Sequence, residues 1–353
     1  MSPRLTDWSI ALATLLAFIL GLLSLISGLP QAWIVFTLHG IAGLWLLLLL
    51  WGKLRRVWPR LISPRRWDRR TVFGVLALLF VALALGSGIW WVSGGEVYLA
   101  GFNLLNWHIV LGFLLTGAVA FHMLARFKRL RKRDIVGRRR ALQFGTLLFG
   151  GNLLWPTQQF VERTLKWSGA ERRFTGSRES GSYAGNAFPT SSWVADQPHP
   201  IEIETWQLAV RGAVSRPRDI SYDELTAVSD ELEATLDCTG GFYSTQRWRG
   251  LRISRLLDTV GISKNARYVS FVSVTGYRWS LPLDEARNAL LATQVGEETL
   301  SHEHGFPLRL VAPGRRGFEW VKWIVRVDVL TELDPGQVVS IFTSSFSDKG
   351  RGE

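Results

Sequence analysis

The stretch Leu236-Asp237-Cys238-Thr239-Gly240-Gly241 contains the only cysteine of this 353-residue chain. A single cysteine excludes an internal disulfide and any metal site built from several cysteines. Most lone cysteines are small buried hydrophobic residues, but the glycines that follow this one would let backbone amides approach a bulky ligand. A thiolate is also a soft ligand for a redox metal. The stretch therefore predicts a loop in which Cys238 binds a metal, with Thr239 and Gly240 beside the ligand.

Two motifs in this half of the chain resemble the molybdopterin-binding domain of the sulfite oxidase family. The first is the cysteine loop together with Arg247-Trp248-Arg249-Gly250-Leu251. The second runs from His304 to Gly314 and continues as Gly317-Phe318-Glu319-Trp320-Val321-Lys322-Trp323. The resemblance implies a C-terminal α+β domain of the sulfite oxidase type that binds molybdopterin, and an enzyme that transfers an oxygen atom in a two-electron reaction.

The same resemblance assigns roles to residues. It implies that Cys238 supplies the one protein sulfur to molybdenum, and that Arg309 and Lys322 bind the phosphate of the pterin. Alternatively, Arg309 is an ordinary surface arginine and His304 caps a turn instead of contacting the pterin. Arg247, Tyr277 and Arg278 are the other candidates for residues around a small-molecule substrate, which the resemblance makes sulfite-like or sulfoxide-like. The direction of the reaction, oxidase or reductase, stays open.

Four apolar segments occupy the N-terminal part of the chain: Trp8–Leu29, Ala32–Trp51, Val72–Val92 and Gly101–Ala125. Each reaches the roughly 20 residues that a helix needs to cross a bilayer. A soluble buried bundle is the alternative, but four such segments in series favour an all-α transmembrane bundle of four to five helices. We therefore expect a multi-pass protein of the cell membrane, in contact with the lipid bilayer.

The formal net charge of +12 comes from two segments between these apolar runs. Residues 53–70 hold eight Lys or Arg and one acidic residue, and residues 126–140 hold nine and one. Basic loops between apolar segments are typical of the cytoplasmic side of a membrane protein. Because the positive charge is concentrated in these loops, it does not indicate binding to nucleic acid.

A shorter fifth segment, Ala141–Trp155, follows three consecutive arginines. The sequence Arg139-Arg140-Ala141-Leu142 is similar to a twin-arginine export signal, and a plain membrane anchor is the equal alternative. With both basic loops inside, this segment runs outward and leaves the catalytic domain extracytoplasmic. The predicted boundaries are 1–127 for the helical haem domain, 128–160 for the basic loop and fifth helix, 161–196 for a linker, 197–334 for the molybdopterin domain and 335–353 for a tail.

Local patterns predict the elements of the second domain. Alternating residues favour strands at Trp206–Val210 and Val269–Val274. Apolar periodicity favours short helices at Tyr222–Val228, Ser254–Val260 and Leu283–Thr293. Mixed short strands and helices over this length indicate one α+β domain.

Three histidines, His39, His108 and His122, lie in the apolar segments. An ionisable ring there is costly unless it is paired or coordinated. His39 and His108 fall at similar depths and each precedes a glycine by four residues, as in a weak repeat, which makes them candidate ligands of one haem b. This half resembles cytochrome b561-like membrane subunits that hold haem b between two helices. The repeat partner of His122 is Lys53, so His122 binds a second haem, serves a quinone site or bonds a neighbouring helix.

These features together indicate a membrane-bound molybdenum oxidoreductase whose haem exchanges electrons with a quinone or an external cytochrome. Two other classes of function stay open at this point. One is a membrane-anchored binding or scaffold protein with a cofactor-free domain, and the other is a haem-only electron-transfer protein.

Overall fold

The computed structural model describes residues 2–63, 65, 67–68, 71–191, 196 and 198–344. The backbone separates into two compact units, residues 1–176 and 177–353. The first unit is helical, with one small hairpin, and the second contains two β-sheets with short helices.

The helices of the first unit follow the apolar segments. They are α1 (Pro3–Ile26), α2 (Trp33–Leu61), α3 (Thr71–Ser93), α4 (Leu104–Ala125), the single turn α5 (Lys132–Ile135) and α6 (Arg138–Thr164), with β1 (Tyr98–Leu99) and β2 (Phe102–Asn103) between α3 and α4. Side-chain caps fix two of the starts, because Ser2 Oγ accepts from the Leu5 amide and the Asn103 side chain accepts from the Asn106 amide. The four predicted apolar segments are therefore confirmed as helices.

Four of these helices are long and apolar enough to cross a membrane: α1, α2, α3 and α4. The predicted fifth segment forms most of α6, which extends beyond Trp155 through Pro156 to Thr164. Within the described part of the chain, α6 is not among these four helices, so whether the bundle has four or five transmembrane helices stays a prediction. The export-signal interpretation concerns the side chains of Arg139 and Arg140, which lie outside the described residues.

Small residues and aromatic rings hold the helices together. α1 packs against α2 and α4, α3 against α4, and α6 against α2. The contact between α2 and α6 is reciprocal. A β-carbon added at Gly40 would lie 2.0 Å from the Trp155 ring, and one added at Gly151 would lie 2.1 Å from the Trp45 ring. Each tryptophan therefore occupies space that only a glycine on the other helix leaves.

The second unit contains the strands β3 (Arg178–Glu179), β4 (Gln207–Gly212), β5 (Arg218–Ser221), β6 (Asp230–Asp237), β7 (Phe242–Arg252), β8 (Tyr268–Ser273), β9 (Arg278–Pro282), β10 (Leu290–Val295), β11 (Glu298–Thr299), β12 (Arg309–Val311) and β13 (Ile324–Leu330). One sheet has the order β11-β10-β7-β3, with β12 on β10 and β6 on β7. The other has the order β5-β4-β13-β8-β9, in which β4 and β13 are parallel. Buried residues from both sheets, including Leu208, Trp248 and Val327, form one core.

Its helices are α7 (Tyr222–Thr226), α8 (Ile253–Val260), α9 (Leu283–Arg287) and α10 (Gly336–Thr343). The predictions for β4, β8, α7 and α8 agree with the structure to within two residues. The prediction of a helix over Leu283–Thr293 is wrong after Arg287, because Leu290–Val295 forms strand β10. That strand is almost wholly buried. A short continuous apolar run occurs both in buried strands and in buried helices, so the sequence pattern does not distinguish them.

The segments predicted as linker and tail contain packed structure. In the range 161–196, β3 pairs with β7 and Phe188 enters the core. In the range 335–353, α10 packs against β9, where Gln337 Oε1 accepts from the Ser280 amide at 3.0 Å. Residues 345–353 lie outside the described part of the chain.

Candidate active site

The cysteine occupies the turn between β6 and β7. Asp237 pairs with Tyr243 as the last register pair, and the Cys238 amide donates to the Phe242 carbonyl at 2.9 Å. Gly241 closes the turn with a φ of 96°, a conformation that glycine adopts without strain. The Cys238 side chain is buried, and its Sγ accepts from the Gly240 amide at 3.2 Å. A buried sulfur with a backbone N–H aimed at it is placed to act as a metal ligand.

A buried ion pair supports this turn from behind. Arg316 Nη1 lies 2.6 Å from Asp237 Oδ1, and both side chains are almost wholly buried. Ser177 Oγ also donates to Asp237 at 2.7 Å, and Arg316 Nη2 donates to the Cys238 carbonyl at 3.3 Å. A β-carbon at Gly317 would lie 3.0 Å from Cys238 Cα, so a larger residue would require the backbone at the cysteine to shift. The sequence analysis missed Ser177, Asp237 and Arg316, although Asp237 adjoins the cysteine and Arg316 adjoins the second motif.

Arg309 is a buried cation, which excludes the surface alternative. Its guanidinium lies 5.1 Å from the Trp248 ring centroid and 5.9 Å from that of Trp320. Nη1 donates to the His304 carbonyl at 2.9 Å, whereas Nε has no hydrogen-bond partner among the residues described. Burial lowers the pKa of Arg309 to about 10, and the negative charge of Cys238 opposes that shift. No carboxylate in the described ranges pairs with Arg309, so its position favours an anionic ligand.

Lys322 lies in the same group. Its Nζ donates to the carbonyls of Glu303 at 2.9 Å and Ser191 at 3.2 Å. Burial and then the charge of Arg309 lower the pKa of Lys322 to about 7, while Asp196 and Cys238 raise it. Gly305 allows this close approach, because an added β-carbon would lie 3.0 Å from Lys322 Cβ. Two predicted phosphate-binding residues therefore meet on the cysteine side of the domain.

His304 orders the loop beside them. Its Nε2 lies 3.1 Å from the Phe188 carbonyl, to which it must donate, so Nδ1 accepts from the Ser301 hydroxyl at 2.8 Å. Burial and the charge of Arg309 lower the pKa of His304 to about 4. Both ring nitrogens of this neutral histidine therefore have protein partners, and the turn-capping alternative describes His304 better than a pterin contact.

The structure brings together only part of the predicted substrate group. Tyr277 is buried and donates to the Phe318 carbonyl at 2.7 Å, next to the glycine that touches Cys238. Burial raises its pKa, as do the charges of Glu319 and Asp196. Glu319 is itself wholly buried, and burial raises its pKa to about 7.

Arg247 and Arg278 make their side-chain contacts outside this group. Arg247 is opposite Glu233 on the solvent face of the sheet, with 70% of its side chain exposed. Four register pairs separate it from Asp237 and Tyr243, or about 13 Å. Arg278 begins strand β9, and its side chain pairs with Asp334.

Comparison with known proteins agrees with this geometry. Residues 195–338 match the oxidoreductase molybdopterin binding domain. The uncharacterized oxidoreductase YuiH of Bacillus subtilis is 30% identical over 168 residues, which are 45% of this chain and 85% of YuiH. The chain belongs to the sulfite oxidase family of molybdopterin-binding oxidoreductases.

Other members of the sulfite oxidase family match over a smaller share of their length. Sulfite oxidase of Arabidopsis thaliana is 29% identical over 39% of this chain and 46% of that enzyme. Nitrate reductase 1 of Phaseolus vulgaris is 33% identical over 36% of this chain and 18% of its own length. The chain thus spans less than half of each of these two enzymes. The solved sulfane dehydrogenase SoxCD of Paracoccus pantotrophus matches 38% of this chain and 40% of its own, with 22% identity and a TM-score of 0.36.

The residues around Cys238 fit the cofactor of this oxidoreductase family. Cys238 offers a buried sulfur with an amide donor, and Arg309 has a buried unpartnered Nε. When bound, molybdopterin would supply the molybdenum at which the oxidoreductase chemistry takes place. Asp237 and Arg316 would hold the turn that carries the sulfur in place, and Arg309 and Lys322 would balance the negative charge of the bound group.

The helical unit brings two of its histidines together. The rings of His39 and His108 lie 5.9 Å apart between centroids, with planes at 87°. His39 Nδ1 lies 2.8 Å from the Ala17 carbonyl, and His108 Nδ1 lies 3.0 Å from the Ala84 carbonyl. His122, at the other end of α4, joins neither ring. Its Nδ1 has no hydrogen-bond partner in the part of the chain that the structure describes.

Proposed function

We propose that this enzyme is membrane-bound and transfers an oxygen atom to or from a small extracytoplasmic substrate. Its electrons pass singly through a haem b held between His39 and His108, and from there to or from a membrane quinone or an external cytochrome. The observation that carries the proposal is the facing histidine pair, since each Nδ1 is occupied by a backbone carbonyl.

The tautomer of the two histidines supports haem ligation. A carbonyl can only accept, so the proton of each ring is on Nδ1 and the Nε2 lone pair is free for a metal. A metal-binding histidine usually makes this kind of second hydrogen bond. Among the described residues, nothing lies within 4 Å of where a β-carbon of Gly112 would be, one turn from His108, which leaves room for a flat macrocycle. Haem b would supply one-electron transfer at this position.

The helices and loop charges support the membrane location. α1 to α4 could span a bilayer by length and composition. The two strongly basic segments follow α2 and α4, which would place both loops in the cytoplasm. α6 would then lead outward and put the catalytic unit on the extracytoplasmic side.

The charge around the sulfur and the relatives support the proposed substrate class. Arg309 and Lys322 make the site cationic, and the Arabidopsis relative is named a sulfite oxidase. A small anion such as sulfite, or a polar sulfoxide, suits such a site. The buried Asp237–Arg316 pair holds the turn that carries Cys238. A binding or scaffold protein without a cofactor would not need this pair, so the pair disfavours that class of function.

The test is the visible spectrum of the purified full chain, first oxidised and then under anaerobic conditions with sulfite. Reduction of a haem b spectrum by sulfite is the expected result for an oxidase. Reduction by a quinol, reversed by a sulfoxide, is the result expected for a reductase. His108→Leu should abolish the haem spectrum while molybdenum stays bound, and Cys238→Ser should abolish only the substrate response. A protein purified without haem from haem-replete cells would overturn the electron route.

A further inference from the structure

In the helical unit, the same arrangement of a histidine, a glycine and a backbone carbonyl occurs in two pairs of helices. His39 on α2 packs against Gly21 of α1, and His108 on α4 packs against Gly88 of α3, where added β-carbons would lie 3.3 Å and 2.8 Å from the rings. In each pair, Nδ1 meets the carbonyl four residues before the glycine. α1–α2 and α3–α4 are therefore two copies of one arrangement.

The copies diverge at the opposite end of the bundle. Within α3–α4, the arrangement occurs a second time, fourteen residues along each helix from Gly88 and His108. Here a β-carbon added at Gly74 would lie 3.3 Å from the His122 ring. The equivalent positions in α1–α2 are Asp7 and Lys53, which form an ion pair of 2.9 Å. A charged pair thus stands where the symmetry would put a second glycine and histidine. An ammonium paired with a carboxylate is a poor haem ligand, so this end does not repeat the haem site.

The end near His122 offers a hydrogen-bonding edge beside an apolar surface. His122 lies within electrostatic range of Asp7, Lys53 and Arg126, and its Nδ1 has no partner among the described residues. Phe121, which precedes His122, and Phe73, which precedes Gly74, stack with their ring centroids 6.5 Å apart and an angle of 24° between the planes. Both rings are open to the surroundings, Phe121 by 63%. A flat apolar ring that carries oxygen at its edge and exchanges protons would match these groups.

We propose that this end of the bundle binds the headgroup of a membrane quinone, with His122 bonding one quinone oxygen and the Asp7–Lys53 pair exchanging protons. The electron route rests on the proposed function. In the oxidase direction, one quinone accepts two electrons, delivered singly through the haem, and two protons from the cytoplasmic side, and it becomes a quinol. The reductase direction releases the same electrons and protons from a quinol. His108 and His122 are about 21 Å apart along α4. The distance that an electron must cross between the edges of haem and quinone is shorter, because both molecules extend into this space.

The experiment uses the full chain in detergent with decylubiquinone as the probe. Haem content is measured by the pyridine haemochrome method, and quinone binding by quenching of tryptophan fluorescence. One haem per chain is expected. His122→Leu should keep that haem and weaken quinone binding at least about 10-fold, the loss expected for one buried hydrogen bond. Lys53→Met should weaken binding too, whereas Lys128→Met, at the same end of the bundle but not among the charges that act on His122, should not.

Several results would overturn the proposal. Two haems per chain, or loss of haem in His122→Leu, would make His122 a haem ligand. Unchanged quinone binding in both His122→Leu and Lys53→Met would place the quinone elsewhere. If His122→Leu does not fold, the Asp7→Asn/Lys53→Met double variant carries the test. A chain without haem that still binds the quinone through His122 would overturn the proposed electron route but leave this site standing.

Discussion

The two units hold their candidate redox ligands by different means. In the helical unit, His39 and His108 are each held by a carbonyl and a glycine of the adjacent helix. For His108 these belong to Ala84 and Gly88. In the α+β unit, Cys238 is fixed by groups from segments far apart in the sequence, among them Ser177 and Arg316. A helix pair can therefore position a ligand by a local pattern, whereas the sheet domain needs its whole fold to do so.

The largest expected effect is on the cysteine itself. Cys238→Ser should lower substrate turnover more than about 100-fold, beyond the loss typical of changes to residues behind a metal ligand. Serine is close in size, so the thermal unfolding of the domain should be nearly unchanged. Molybdenum content and turnover with sulfite and sulfoxides are the measurements, with Thr239→Ser as control. If Cys238→Ser retained its turnover, Cys238 would not be a ligand that the reaction requires.

The next effect concerns the long-range support of the cysteine turn. Asp237→Ala should destabilise the domain by about 3–5 kcal/mol, because Arg316 would be left as a buried charge without its carboxylate. Asp219→Ala breaks an exposed ion pair with Arg211 and should cost less than about 1 kcal/mol. Denaturant unfolding of the purified chain measures both. Equal losses would show that the buried pair is not what holds the turn.

Substitution of Arg309 should affect cofactor binding and folding stability in opposite directions. Arg309→Met should raise the stability of cofactor-free protein by about 1–3 kcal/mol, since it removes a buried cation without a carboxylate partner. The same change should reduce molybdopterin content of the isolated protein. Arg309→Lys keeps the charge but loses the planar donor set, so its cofactor content should be intermediate. A loss of stability in cofactor-free Arg309→Met would show that the charge has a partner in the fold.

Matched glycine substitutions compare the two modes of support directly. Gly88→Ala brings a β-carbon 2.8 Å from the His108 ring, and Gly317→Ala brings one 3.0 Å from Cys238 Cα. Each should cost about 1–3 kcal/mol by overpacking. We expect Gly88→Ala to shift the haem spectrum alone and Gly317→Ala to lower molybdenum content alone. Gly112→Ala, with open space around it, is the control.

The last expected effect is a pH dependence at His304. Its pKa is lowered to about 4 in the folded domain against an ordinary value of 6.5. The unfolded chain therefore binds more protons between these values, and stability falls as the pH drops from about 6.5 to 4, by at most about 1.4 kcal/mol per pH unit. His304→Gln should flatten that slope. The measurement is denaturant unfolding across this range, and an unchanged slope would assign it to other groups.

Sequence alone determined the features that repeat locally. Charge-free runs gave the four apolar helices, because helix formation and burial in lipid depend on composition over one segment. Short motifs around Cys238 and Lys322 gave the enzyme family. The tertiary structure decided which side chains meet. It joined Asp237 to Arg316, enclosed Arg309 between two tryptophans, turned Arg247 and Arg278 away from the cysteine, and set Asp7 against Lys53. Such contacts depend on strand register and helix packing between distant segments, which no single stretch of sequence specifies.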